Sequence, residues 1–181
     1  MSDAPLIRLS VPTPADMFAV GRDLARLARA GDLIILVGEL GAGKTALAQG
    51  IGAGLGVTTP VVSPTFQLSR IHRPAGDGPG LVHVDTYRLG SRAELDDMDL
   101  ETEMATAVTV VEWGRGVADQ LSADRLEVEI TRSPDPDDET RTVAVTPVGQ
   151  RWAGLVGDWE RLVNEDMGRD ARRDAEGGGD E

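Results

Sequence analysis

Residues 33–45 read LIILVGELGAGKT, and this stretch decides the fold. Leu33 to Val37 is a short unbroken apolar run ended by glycine, the pattern of a strand buried on both faces of a parallel sheet. Gly38 to Thr45 then matches G-x-x-x-x-G-K-[ST] in full. Lys44 to Leu55 reads as a helix closed by Gly56. A strand running into a glycine loop and a helix running out of it aims the backbone N–H groups of about Gly41 to Thr45 at one point, with the positive end of the helix behind them. That arrangement suits a nucleotide phosphate. The expected nucleotide contacts are Glu39, Leu40, Gly41, Ala42, Gly43, Lys44, Thr45 and Ala46. Lys44 would neutralise β- and γ-phosphate charge, and the Thr45 hydroxyl would bind magnesium, an ion that keeps several waters and needs few protein oxygens.

Upstream, Pro14 to Ala30 places Met17, Val20, Leu24, Leu27 and Ala28 at helical spacing, with Thr13 as N-cap. Downstream, Thr65 to Ile71 and Leu81 to Val84 read as strands joined by the loop HRPAGDGPG, and Ala93 to Leu100 as a short helix. Ala107 to Val111 (AVTVV) is a second apolar strand. Leu126 to Thr131 and Thr142 to Thr146 alternate about an acidic turn, as a hairpin does. A last helix is expected over Gln150 to Asn164, carrying Trp152, Leu155, Val156, Trp159 and Leu162. The pattern predicts an α/β chain: a P-loop NTPase-like three-layer sandwich, its sheet mostly parallel with antiparallel edge strands. One domain is expected over residues 1–164 and a disordered acidic tail over 165–181, where apolar residues are almost absent.

In such a sheet the magnesium and the attacking water need carboxylates at strand ends beside the loop. Asp85 follows LVHV and Glu112 follows AVTVV, so both are candidates. Ser63-Pro64-Thr65 lies where many P-loop enzymes keep a γ-phosphate sensor, and Thr65 is the catalytic candidate there, against an ordinary proline turn. His83, two residues before Asp85, shares its face and can hydrogen-bond; it reads as a satisfied structural histidine, with a catalytic role as the alternative. His72 beside the loop reads as exposed. Trp113 reads as core packing, with shaping of the site as the alternative, and Trp152 and Trp159 read as core. Arg88 pairs with phosphate or with an acidic neighbour.

The 181 residues are 40% apolar, enough for one core. There is no cysteine, which excludes disulfides, thiolate metal sites and cysteine nucleophiles. No apolar run approaches a membrane span and the N-terminus lacks the pattern of a signal peptide, so the cytoplasm is expected. The net charge of -13 repels polyanions, so any role with nucleic acid must run through partners.

GELGAGKT, SPTF, HVDTYRL and VVEWG, in this order, resemble the TsaE family from about Thr13 to Thr146. The loop alone says nucleotide-binding; the later elements narrow the reading. Thr86 and Gly114 depart from the residues common at those places in the family, and neither is a proposed ligand. The resemblance implies an ATPase of bacterial tRNA threonylcarbamoyladenosine formation, in which Thr45 and Glu112 hold Mg2+, Asp85 serves hydrolysis, and Thr65 and Trp113 match the family's threonine and tryptophan. It also implies docking on TsaB and TsaD, coupling ATP hydrolysis to their cycle. Two other readings compete. A small-molecule kinase would need an arginine-rich lid, yet Glu112 to Asp124 offers only Arg115. A nucleotide-dependent switch with little turnover is the other; the absence of an N-K-x-D element favours ATP over GTP.

Overall fold

The apolar run becomes the centre of a sheet because neither of its faces is left to solvent. In the computed structural model, which describes residues 7–64, 67–89 and 92–164, strand β2 (Leu33–Gly38) lies with Leu33, Ile34, Ile35 and Leu36 fully buried. The other strands are β1 (Ile7–Val11), β3 (Ser69–His72), β4 (Gly80–Asp85), β5 (Ala107–Glu112), β6 (Arg125–Arg132) and β7 (Arg141–Val148). Their order across the sheet is β1-β7-β6-β2-β5-β4-β3. β4, β5, β2 and β6 are parallel, whereas β7, β1 and β3 run antiparallel to the strands they pair with. The mostly parallel centre with antiparallel edges is the expected arrangement.

Helices cover both faces, giving three layers. On one side lie α1 (Pro14–Leu27), α2 (Lys44–Gly54) and α5 (residues 155–164), packed on Ile34, Leu36, Val110 and Val128. On the other lie α3 (Arg92–Asp96) and α4 (Glu101–Met104), where Leu95 and Met104 meet Ile35, Val84 and Val111. Among the described residues no helix is long and apolar enough to cross a membrane.

Local chemistry explains the element ends. Thr13 caps α1 in a capping box: its hydroxyl accepts from the Asp16 N–H (3.1 Å) while its own N–H donates to the Asp16 carboxylate (3.1 Å). Pro14 at the first helical position loses no bond by lacking an N–H. α1 and α2 approach closely because glycines meet at their crossing. A Cβ on Gly21 would collide with the Leu47 carbonyl, and one on Gly50 with the Phe18 carbonyl.

Four elements differ from expectation. β1 was not foreseen. The strand expected from Thr65 begins at Ser69, because the N–H groups of Gln67 and Leu68 both turn back to the Pro64 carbonyl and Leu68 has φ 61°. α3 stops at Asp96, short of Leu100, as Met98 and Asp99 close turns and Asp99 takes φ 47°. The last helix is split, with a single 3-10 turn over Gln150–Trp152 ahead of α5. The tail, residues 165–181, lies outside the described residues.

Candidate functional site

The carboxyl ends of β2, β4 and β5 come together at one edge of the sheet. β2 delivers the glycine loop. Gly41 and Gly43 adopt φ 74° and 117°, conformations an L side chain rarely takes, and α2 then begins at Lys44 with no side chain capping its first N–H groups. Those donors remain available to an anion. Lys44 folds back along the loop, where its ammonium donates to the carbonyls of Gly38 (2.7 Å) and Glu39 (2.8 Å). Burial lowers its pKa, while the charges of Glu112 and Asp85 oppose that shift.

β4 and β5 place Asp85 and Glu112 in register with each other, both nearly inaccessible at 5% and 3%. Two buried carboxylates need compensation, and their surroundings differ. Asp85 accepts on both oxygens, from the Tyr87 N–H (2.9 Å) and from the Ser63 hydroxyl (2.8 Å). Glu112 accepts on one, from Nε2 of the fully buried His83 (2.8 Å). His83 therefore lies on the expected face but reaches across to Glu112 instead of along its own strand to Asp85. The hydroxyl and N–H of Thr86 both donate to the Glu112 carbonyl (3.0 Å each), tying the two strand ends together.

Leu40, Gly41, Gly43, Lys44, Thr45, Asp85 and Glu112 line one cleft of about 370 Å³, together with Ser63, Tyr87, Arg88 and Trp113. Ala42 and Ala46 line a smaller cavity of about 80 Å³ against the same loop, and Glu39 a neighbouring open cleft. Thr65 lies outside the described residues. Ser63, from the same SPT element, is the residue seen to reach Asp85. Trp113 is not core: it is half-buried, with its ring centroid 3.9 Å from the Lys44 ammonium and 5.0 Å from the Tyr87 ring. A φ of 64° puts it there, held by its N–H donating to the Leu36 carbonyl (2.9 Å). His72, expected to be exposed, is buried and bonded to the Thr59 hydroxyl (2.7 Å).

The donor set suits a hard divalent cation. Two buried carboxylates face a single lysine, and such a cation would take its oxygen ligands from the Thr45 hydroxyl and the second carboxylate oxygen of Glu112, which has no hydrogen-bond partner among the described residues.

A buried parallel strand, a glycine loop opening a helix and two strand-end carboxylates define a P-loop NTPase-like protein. A family model described as "Threonylcarbamoyl adenosine biosynthesis protein TsaE" matches residues 11–143. The chain belongs to the TsaE family. It is 54% identical over 139 residues to the tRNA threonylcarbamoyladenosine biosynthesis protein TsaE of Streptomyces coelicolor, covering 76% of this chain and 94% of that one. The protein of the same description from Bacillus subtilis is 35% identical, over 83% of this chain and 92% of its own. The crystal structure of Bacillus subtilis YdiB superposes with a TM-score of 0.68 at 33% identity, covering 88% of this chain and 95% of that one.

Proposed function

We propose that this protein binds and hydrolyses ATP with Mg2+ as an accessory factor in tRNA threonylcarbamoyladenosine formation, acting in the cytoplasm with TsaB and TsaD. The observation that carries the reading is the convergence of Lys44, Thr45, Asp85 and Glu112 on one cleft at the end of β2. The family membership directs that chemistry to tRNA modification. The bound cation would neutralise charge on the β- and γ-phosphates, with Thr45 and Glu112 as its protein ligands. Lys44 would leave the Gly38 and Glu39 carbonyls for phosphate oxygens, and the loop's N–H groups would hold the remaining charge. Asp85, fixed on both oxygens, would orient the attacking water; Thr65 is assigned to the same step. The charge of -13 fits a protein that leaves tRNA to its partners.

The test is ATP turnover by purified protein with and without Mg2+, and with TsaB and TsaD added. Turnover should require the metal and rise with the partners. Lys44→Ala should reduce kcat/KM roughly 100-fold or more, since phosphate charge developing in the transition state loses its cation. Full turnover in that variant would remove the loop from the mechanism.

A further inference from the structure

Of the groups around the cleft, one buried polar side chain has no part in the function just proposed. His83 is 0% exposed, at the centre of a sheet face otherwise lined by Leu81, Val108 and Val110. An imidazole there displaces a hydrocarbon side chain that would pack without polar loss. Its Nδ1 has no hydrogen-bond partner among the described residues, so half its polar capacity is spent on nothing. What it does make is one short bond, 2.8 Å from Nε2 to Oε1 of Glu112. A carboxylate only accepts, so Nε2 carries a hydrogen and donates it.

We propose that His83 is a positioning residue for the cation site: by donating to Oε1 it fixes the Glu112 carboxylate and leaves its other oxygen as the ligand. The inference rests on the reading of Glu112 as a metal ligand. The geometry gives it force. Glu112 is the last residue of β5 and has more torsional freedom than Asp85, yet among the described residues Asp85 is held by two donors and the Glu112 carboxylate by the imidazole alone. Without that donor the Glu112 side chain would be free to rotate toward the Lys44 ammonium, whose charge it already feels. It would then neutralise the loop's own lysine in place of a cation. Outer-sphere groups that orient a ligand typically set metal affinity by about 10- to 100-fold.

The experiment measures Mn2+ affinity by electron paramagnetic resonance in the presence of ADP, and ADP affinity alone in EDTA. Two apolar variants, His83→Phe and His83→Met, remove the donor, and His83→Gln returns an N–H at a similar reach; circular dichroism and Tm select folded variants, and either apolar one suffices. Expected are a loss of about tenfold in Mn2+ affinity in the apolar variants, metal-free ADP affinity within about twofold of wild type, and recovery to within about threefold in His83→Gln. In a Glu112→Gln background the same His83 change should have no further effect on Mn2+. Unchanged Mn2+ affinity in a folded apolar variant overturns the proposal, as does an equal loss of metal-free ADP binding or a His83 effect that persists without the Glu112 carboxylate. If wild type itself gains no Mn2+ affinity from ADP, it is the metal reading that fails, and this inference falls with it.

Discussion

Asp85 and Glu112 end neighbouring strands in register, yet the donors around them differ. Glu112 has one oxygen with no hydrogen-bond partner among the described residues, whereas each Asp85 oxygen already accepts one bond, so Glu112→Gln should weaken Mg2+ binding about tenfold or more. Asp85→Asn should bind Mg2+ and ATP nearly as wild type but turn over roughly 100-fold more slowly, because water orientation matters in the transition state and little in the ground state. Measuring affinity and kcat separately for each variant decides it, and a reversed pattern would exchange the two roles. His72 allows a test by pH. Burial lowers its pKa below 6.5, with His83 and then Arg70 smaller causes in the same direction. Above 6.5 neither folded nor unfolded chain carries that proton; as pH falls through 6.5 the unfolded chain takes one up that the folded chain resists, and stability is lost. His72→Asn, which keeps a polar group for Thr59, should therefore lose less Tm between about pH 7.5 and 5.5 than wild type does. Equal slopes would show that His72 is not responsible. Lys44, Thr45, Asp85 and Glu112 were legible in the sequence because each follows a strand or loop of recognisable period. His72, Ser63 and Trp113 were not, since their places depend on Thr59, Asp85 and Lys44, partners that local pattern does not reveal.

At the scale of elements, the strand, loop and helix around Gly38 to Thr45 were readable because burial on both faces and a fixed motif leave few alternatives. The capped start of α1 was equally plain. β1 went unread although its five residues alternate, as a run that short gains its identity only by pairing with β7. The end of α3 was obscured because Asp99 adopts a left-handed conformation that its residue type tolerates but does not announce. The crossing of α1 and α2 makes its own prediction. Gly50→Val would drive a side chain into the Phe18 backbone and should lower Tm by roughly 10 °C, about 3 kcal/mol of overpacking. Gly157, exposed in α5 with open space where a Cβ would stand, is the control: Gly157→Ala should raise stability by about 0.5–1 kcal/mol. A thermal melt of the two variants checks both signs.

For the whole molecule, the packed structure is closed at its C-terminal side by Leu155, Trp159 and Leu162, all buried. Removing residues 165–181, nearly devoid of apolar side chains, should shift Tm by no more than about 2 °C and leave nucleotide affinity unchanged, whereas a cut before Leu155 should cost several times more. Calorimetry of the two truncations distinguishes a dispensable tail from an integral one. The strand order carries a further consequence, for the way the molecule is made. The nucleotide loop sits on β2, but the neighbours of β2 are β5 and β6, encoded far downstream, and β1 waits for β7. During synthesis the motif therefore leaves the ribosome long before the sheet that holds it in place, and Glu112 arrives last of the four cleft groups. A growing chain has the signature of a nucleotide site without having the site, so ATP, bound as proposed, would act as a ligand that favours the finished fold and not as a template for its early steps.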